Sequence, residues 1–365
     1  MEYIKLKNIN EYKSESINPM KSPDTIFEMY SVPIYETGRP EYLHGSEIGS
    51  NKVLVQKDDV LLCKINPRIN RVWVVADESE YQNIASSEWI VVRSKTYNPE
   101  FLAWYFRTPK FKKLMTSEVT GIGGSLTRAQ PRTVAEYPIP VIPRQWQDEI
   151  TLTLNKAHDI IMLRKRELQS LDELIKARFV EMFGDPVINP RGLETASLGD
   201  LSSLITKGAS PSWQGFSYTV DKTQTLFVTS ENVREGYIDL SNPKYIENGF
   251  NDKQKRSILH KGDFLINIVG ASIGRAAQFN LECKANINQA AALVRIGDAR
   301  IRDKYLITYL NSEKAQQMYD FMKSDTGRAN LSLQDIGNLT IVIPPIDEQL
   351  VFEDFIEQVD KSKLL

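Results

Sequence analysis

The stretch ELIKARFVEMFGDPVINPRG, residues 173–192, contains the strongest boundary signal in the chain. Its first half consists of residues that favour a helix, whereas Gly184 and Pro186 are residues of the kind that end one. The helical pattern begins well upstream, because residues 144–183 contain neither glycine nor proline. About half of the chain still follows this point. The stretch therefore predicts where a long helix ends and a second folded module begins.

Four landmarks recur in the same order on the two sides of this boundary, about 200 residues apart. The pairs are KDDVLLCKIN (57–66) with KGDFLINIVG (261–270), NIASSEWIVVR (83–93) with NINQAAALVR (286–295), EFLAWYFRTPKFKKLM (100–115) with KYLITYLNSEKAQQMY (304–319), and YPIPVIPRQWQDEI (137–150) with NLTIVIPPIDEQLV (338–351). Self-similarity at a fixed separation indicates repeated structural units. The chain is therefore predicted to hold two copies of one module.

Each copy is predicted to be a mixed α/β (α+β) globule, because short apolar runs typical of strands accompany one amphipathic helix and a polar loop. The predicted order is a first module over residues 1–143, a spacer helix over 144–183, a linker over 184–192, a second module over 193–345 and a short distal helix over 346–365.

The spacer helix carries apolar residues at seven-residue steps, which is the pattern of a coiled coil. The predicted seam consists of Leu154, Ile161, Leu168, Ile175 and Met182, with Ala157 and Leu171 at companion positions and with Arg164 and Arg178 as interruptions. The distal helix has a stripe of its own, formed by Phe352, Phe355, Ile356 and Val359, but it is only about half as long. Leu168, Leu171 and Ile175 are therefore expected to lack a partner within the chain. A single amphipathic helix that lies on its own domain is the alternative interpretation.

The composition limits the classes of function that fit. With 45 Lys and Arg against 47 Asp and Glu, the formal net charge of -2 gives no overall attraction to nucleic acid or to an anionic membrane, so a basic binding surface must be local. Two cysteines and three scattered histidines argue against a disulfide framework and a zinc site. No apolar run reaches the length of a membrane span, so no membrane partner and a cytoplasmic location are expected.

A local basic region does occur in the first module. Residues 102–133 contain six basic residues and one acidic residue, and they include the glycine-rich loop TGIGGSLTRAQPRT. Such a region suits contacts to DNA phosphates and base edges. Two similar modules held apart by a helix likewise suit double-stranded DNA with two separated sites. A solvated helix face beside a flexible loop explains the same charges.

Several segments together resemble the DNA specificity subunit of type I restriction-modification systems. They are LIKARFVEMFGDP in the spacer helix, SLGDLSSLITKGASPSW at the start of the second module, KGDFLINIVGASIGRAAQ, GRANLSLQDIGNLTIVIPPIDEQ, and their echoes in the first half. The resemblance implies two target recognition domains, each of which reads one half of an interrupted DNA sequence. It also implies that two long helices pack antiparallel, separate these domains and set the distance between the half-sites. The short distal helix departs from the family, in which the two helices are about equally long.

The same resemblance implies partners and a division of chemistry. Two modification subunits would carry the S-adenosylmethionine chemistry that methylates adenine, and restriction subunits, where present, would translocate and cut DNA. This chain would then be a recognition subunit that has no cofactor of its own.

Two short motifs suggest catalysis but fit it incompletely. NPEF (98–101) is one residue from a motif that holds the target adenine in amino-methyltransferases, yet no glycine-rich cofactor loop accompanies it. Asp263, followed by Glu282 and Lys284, is spaced like the ligands of metal-dependent nucleases, but the first module offers Asp59 without the lysine. No catalytic, cofactor or metal-binding residue is therefore assigned. A stand-alone Mg²⁺-dependent DNA nuclease and a non-DNA coiled-coil interaction scaffold are the alternatives.

The predicted functional residues are DNA contacts, because Arg, Lys, Asn, Ser and Thr side chains can bind phosphates or base edges. In the first module they are Lys64, Asn66, Arg68, Asn70, Arg71, Ser125, Thr127, Arg128 and Arg132. In the second module they are Lys207, Ser210, Ser272, Arg275, Arg328 and Asn330.

Overall fold

The structure is a computed structural model that describes residues 2–76, 78–120, 127–322 and 330–364. The chain forms two compact units, Met1–Leu163 (unit 1) and Arg164–Leu365 (unit 2). The division falls inside the long helix Arg144–Phe183 rather than in the predicted linker at 184–192. The reason is that the last turns of this helix, including Phe183, are buried in the core of unit 2.

Unit 1 is a mixed α/β unit. Its strands are β1 (Tyr3–Lys5), β2 (Ser16–Ile17), β3 (Ile26–Tyr30), β4 (Glu41–His44), β5 (Lys52–Leu54), β6 (Val60–Cys63), β7 (Val72–Val74), β8 (Gln82–Ser86), β9 (Trp89–Val92), β10 (Val119–Thr120), β11 (Arg128–Ala129) and β12 (Pro138–Pro140). Its helices are α1 (Pro99–Phe106), α2 (Pro109–Ser117), α3 (Pro131–Val134) and the first half of α4 (Arg144–Phe183). Short 3-10 helices lie at Leu6–Asn8, Pro19–Lys21, Pro33–Thr37 and Gly45–Glu47.

Two sheets organise unit 1. A five-stranded sheet has the order β2-β5-β8-β3-β4, and a three-stranded sheet has the order β7-β6-β9. Helices α1 and α2 cover the three-stranded sheet with Phe101, Phe106 and Phe111, which are buried against Val60 and Val92.

Unit 2 contains the same kinds of elements. Its strands are β13 (Glu194–Ser197), β14 (Ser202–Lys207), β15 (Tyr218–Thr219), β16 (Thr225–Val228), β17 (Tyr245–Ile246), β18 (Phe264–Asn267), β19 (Ala276–Gln278), β20 (Ala285–Ile287), β21 (Ala291–Ile296) and β22 (Thr340–Ile343). Its helices are the second half of α4, α5 (Leu198–Leu201), α6 (Pro211–Gln214), α7 (Gly249–Lys253), α8 (Asp303–Leu310), α9 (Glu313–Met322), α10 (Leu333–Gly337) and α11 (Ile346–Lys363), with a 3-10 helix at Lys255–Ser257.

The two units share a strand arrangement, as the repeated sequence predicts. In unit 2 the sheet β14-β21-β18-β19 contains the antiparallel trio β19-β18-β21, which corresponds to β7-β6-β9 in unit 1. Each unit also has one parallel pair in its other sheet, β3 with β8 and β16 with β20. The predicted mixed α/β class and the duplication are therefore confirmed.

Helices α4 and α11 pack antiparallel within unit 2. Near the start of their overlap, Arg164 donates a 2.7 Å hydrogen bond to the carbonyl of Lys363. Farther along α4, the Arg178 guanidinium lies 5.8 Å from the centre of the Phe355 ring. At the end of the overlap, the rings of Phe183 and Phe352 are 5.4 Å apart. Residue numbers rise along α4 while those of its partners fall, which defines the antiparallel direction.

The predicted seam of α4 is covered over only part of its length. Leu154 and Ile161, which belong to unit 1, are 37% and 54% exposed. The expectation that Leu168, Leu171 and Ile175 lack a partner within the chain is wrong, because all three are half-buried in unit 2. On α11, Phe352, Ile356 and Val359 are buried and Phe355 is half-buried. An 18-residue α11 is long enough to cover this part of α4 because it runs back as far as Arg164.

Candidate nucleic-acid interface

The loop between β6 and β7 in unit 1 has the same backbone form as the loop between β18 and β19 in unit 2. Asn66 and Asn70 have left-handed φ angles of 47° and 56°. At the matching places, Gly270 and Gly274 have φ angles of 85° and 88°. Asparagine and glycine are the residues that tolerate this region best. The two loops therefore fold alike although their sequences, KINPRINR and IVGASIGR, differ.

A second segment joins each loop from far along the chain. In unit 1 the amide of Asn66 donates to the carbonyl of Thr127 (2.8 Å), and the amide of Ala129 donates to the carbonyl of Lys64 (2.9 Å). In unit 2 the amide of Leu331 donates to the carbonyl of Ile268 (2.9 Å), and Val269 pairs with Asn330. The structure thus brings together two groups of predicted contacts in each unit.

Some predicted contacts of unit 1 support the loop, and others face solvent. Lys64 donates to the carbonyl of Ser87 (2.6 Å), and Asn70 donates to the carbonyl of Phe106 (3.2 Å). Arg71 is largely buried, with its Nε 3.6 Å from the Glu36 carboxylate. By contrast, Arg68, Arg128 and Arg132 are exposed. These three exposed side chains are the ones most accessible to a phosphate or a base edge.

Arg128 has a partner inside its own unit. Its guanidinium Nε lies 3.3 Å from the Glu88 carboxylate, and the two side chains are 44% and 28% exposed. Glu88 sits in the turn before β9, and Ile65 pairs with Arg128 across the loop. The carboxylate therefore orients the arginine and competes with any anion for it.

In unit 2 the predicted contacts gather at one end of the sheet β14-β21-β18-β19. The register pairs Lys207 with Ala292 and Asn267 with Ala291, so the last residues of β14 and β18 emerge at the same edge. Lys207 is exposed there.

The remaining predicted contacts of unit 2 lie in and around the loop. Ser272 accepts a 3.0 Å hydrogen bond from Asn267, and Arg275 is half-buried. Asn330 is exposed, and Ser210 has its hydroxyl 3.2 Å from that of Ser212. The predicted contacts Ser125 and Arg328 lie outside the described residues.

Sequence reasoning missed residues that hold these loops. Asn267 is fully buried and donates to the Ser230 carbonyl as well as to Ser272. Arg107 in unit 1 donates to the Val72 carbonyl (2.8 Å), and Asn311 in unit 2 donates to the Ala276 carbonyl (2.9 Å). Arg107 and Asn311 occupy equivalent places in the repeat, so alignment of the two halves position by position could have found them.

The carboxylates that suggested a nuclease are held in ion pairs. Asp263 is 1% exposed, and both of its oxygens accept 2.7 Å hydrogen bonds from Arg295, an interaction that raises the pKa of the guanidinium. Glu282 is exposed and pairs with Lys261 at 2.8 Å, and this hydrogen bond lowers the pKa of the Glu282 carboxyl. Within the described ranges, no group of three or more His, Cys, Asp and Glu side chains could hold a metal ion.

Unit 1 repeats the buried pair. Asp59 is fully buried and accepts 2.7 Å hydrogen bonds from Arg93 on both oxygens. The acidic residue shared by KDDVLLC and KGDFLIN is thus explained by the fold rather than by metal chemistry.

The NPEF motif is explained by helix capping. The Asn98 side chain accepts hydrogen bonds from the amides of Glu100 and Phe101 at the start of α1. It also donates to Asp148 (2.7 Å), so both ends of the amide are engaged within unit 1. This is the ordinary role of asparagine before a helix that begins with proline.

Among the described helices, none is long and apolar enough to cross a membrane.

Comparisons with known proteins found similarity over part of the sequence. Residues 190–365 match the family model described as type I restriction modification DNA specificity domain. A 128-residue region is 29% identical to the type I restriction enzyme EcoBI specificity subunit of Escherichia coli. The aligned region covers 35% of this chain and 27% of the Escherichia coli protein. The match thus spans about a quarter of the length of that relative.

Two solved structures share the fold. One, from work on complex assembly and conformational transition of the type I R-M system, has a TM-score of 0.54 and 20% identity, with 100% of this chain and 90% of that chain covered. The type I restriction-modification system S subunit from M. genitalium has a TM-score of 0.53 and 11% identity, with coverage of 99% and 91%. Residues 190–365 therefore resemble the type I restriction modification DNA specificity domain, and the chain shares its fold with an S subunit of a type I restriction-modification system.

Proposed function

We propose that the chain is the DNA specificity subunit of a type I restriction-modification complex and that each unit reads one half of a bipartite target. The observation that carries the proposal is the repeated loop at the strand ends, which has the same backbone in both units but different side chains. Loops with the same backbone but different side chains suit two half-sites that differ in sequence. Fold alone does not fix function, so the proposal depends on these side chains.

Exposed polar side chains in and near both loops suit DNA. Arg128 can make a bidentate contact to guanine, and Asn330 has the amide that pairs with adenine in the major groove. Arg68, Arg132 and Lys207 suit phosphates, which position a protein on the duplex without specifying sequence. The overall charge of -2 then keeps the rest of the surface from binding DNA indiscriminately.

The chemistry would reside in partner subunits. Two modification subunits would supply S-adenosylmethionine and methylate adenine, and restriction subunits would cut unmodified DNA, all in the cytoplasm. The pairing of Asp263 with Arg295 and of Glu282 with Lys261 supports a recognition role over a stand-alone nuclease. The purified chain, supplied with Mg²⁺ and S-adenosylmethionine, is expected neither to cut nor to methylate DNA. DNA cleavage or methylation by the chain alone would contradict the proposal that partner subunits carry the catalytic activities.

Methylation mapping tests the proposal directly. Cells that express this chain with its modification subunits should carry methylated adenines in one bipartite motif. Replacing residues 193–343 with the matching part of a relative should change one half of that motif and leave the other intact. A change in both halves, or a failure of the wild-type chain to direct any methylation, would contradict the proposal that each unit reads one half-site. Absence of salt-dependent DNA binding would favour the scaffold alternative.

A further inference from the structure

Trp213 is the most exposed tryptophan of the chain for which an exposure is described, at 89%. It lies on the short helix α6 and makes no hydrogen bond or ring contact within the described part of the chain. A large aromatic ring in water loses the benefit of burial, and exposed apolar groups of this size often mark binding sites. The fold of unit 2 therefore gives no reason for a tryptophan here.

Helix α6 follows closely after the end of β14, where exposed Lys207 lies. Helix α6 starts at Pro211, four residues after Lys207, so the two Cα atoms are at most about 14 Å apart. Exposed Lys253 donates a 3.0 Å hydrogen bond to the carbonyl of Gln214, the residue next to Trp213. An exposed indole ring with lysines nearby matches the aromatic and basic combination that binds nucleic acid.

The segment that carries Trp213 is anchored. Gly208 passes so close to β20 that a Cβ there would lie 1.8 Å from the carbonyl oxygen of Ile287, so the chain can cross at this point only with glycine. Beyond the helix, Phe216 packs against Phe250 at a ring distance of 5.6 Å. An anchored backbone reduces the conformational entropy that is lost when the side chain binds a ligand.

Unit 1 has a counterpart to this feature. The 3-10 helix Pro19–Lys21 also begins with proline and precedes the parallel strand pair, as α6 does in unit 2. Its central residue, Met20, is 51% exposed. An exposed apolar side chain thus lies on the short proline-initiated helix before the parallel strand pair in both units, although the two residues differ.

We propose that Trp213 stacks on nucleotides of the half-site that unit 2 reads and that Met20 makes the corresponding apolar contact in unit 1. This inference rests on the proposed DNA-reading function. In a duplex the ring reaches a base face by entering a base step and partly unstacking it, as apolar wedges do. Stacking tolerates any base, because every base has a π face. Trp213 therefore contributes affinity and local DNA geometry rather than the identity of a base.

The test uses the full chain and duplex DNA that carries the methylated motif mapped in cells. Trp213→Ala is expected to weaken binding between about 5-fold and about 100-fold, the range for loss of one stacked base. Trp213→Phe should keep most of the affinity because it keeps a ring. The matched control is Trp146→Ala, which removes another exposed tryptophan (59%), located on α4 in unit 1, and should leave affinity unchanged. Indole fluorescence should fall when the wild-type chain binds DNA and fall less in Trp213→Phe.

Failure of this inference is distinguishable from failure of the proposed function. If the wild-type chain does not bind its motif, the DNA-reading function itself is wrong. If the wild-type chain binds and Trp213→Ala binds equally well, stacking by Trp213 is refuted. A methylated motif that loses a base preference in Trp213→Ala would also contradict stacking, because it would show a base-edge contact instead.

Discussion

Arg128 carries a charge that its own unit already partly neutralises through Glu88. Arg128→Ala is expected to weaken DNA binding by about 1 to 3 kcal/mol and to relax one position of the half-site read by unit 1. Glu88→Gln is the matched variant: it removes the competing carboxylate and should leave binding as strong or make it stronger. Affinity measurements and methylation maps check both. Equal weakening by the two substitutions would show that the pair matters for folding and not for DNA contact.

Asp263 and Glu282 are both acidic and both ion-paired, yet their burial differs. Asp263→Asn leaves Arg295 without its buried charged partner. We expect it to lower the free energy of unfolding by about 3 kcal/mol. This value is at the low end of the range for a broken buried ion pair, because Arg295 is partly exposed. Glu282→Gln removes an exposed pair with Lys261 and should cost under about 1 kcal/mol. Denaturant unfolding that follows unit 2 measures both. A nuclease site would reverse the order of importance, with loss of DNA cleavage in Glu282→Gln.

At the scale of elements, the contact between α4 and α11 depends on aromatic rings. Phe352 is fully buried, with ring centres 5.6 Å from Phe179 and 5.4 Å from Phe183. Phe352→Ala should destabilise unit 2 by about 3 to 5 kcal/mol, because it removes a large side chain and leaves a cavity. Leu350→Ala, on the same helix but 40% exposed, should cost much less. A melting temperature equally lowered by both variants would show that the stability of unit 2 does not depend on the burial of Phe352.

The sequence predicts these helices better than it predicts what covers them. Seven-residue spacing gives the helix, since periodicity is a local property, and the helix is present over Arg144–Phe183. Which turns of α4 are covered depends on where α11 packs, and this is not a local property. Leu168 and Ile161 belong to the same apolar stripe, yet Leu168 is half-buried and Ile161 is exposed. Ion pairs are equally hard to predict from local sequence. Asp263 and Arg295 are 32 residues apart and come into contact only when β18 and β21 pair.

For the whole molecule, the duplication could be predicted because four landmarks repeat in order. The parallel pairs could not, since β3 and β8 are joined only after some fifty residues of intervening chain, and nothing local marks them as neighbours. The candidate interface was predictable in outline from KINPRINR and its echo. The role of each side chain was not, because Arg71 is largely buried while Arg68 is exposed within the same loop.

The last prediction concerns the length of α4, which is shared between the two units. Residues Ile160, Ile161 and Leu163 are all more than half exposed, so an insertion after Ile161 disturbs neither core. Four added residues lengthen the helix by about 6 Å, a little under two base pairs at about 3.4 Å each. If α4 is the spacer, both half-sites should keep their sequences while the unread gap between them grows by one or two base pairs.

A seven-residue insertion at the same place is the matched control for phase. It adds about 10.5 Å, close to three base pairs, and turns the helix by only about 20° from its original phase, compared with about 40° for four residues. The longer insertion should therefore shift the gap further, and it keeps the apolar seam of α4 closer to its seven-residue register. Methylation mapping reads the gap in each variant, because the positions of the methylated adenines define both half-sites. Active variants that keep the original gap would show that α4 does not set the spacing, even if each unit reads DNA as proposed.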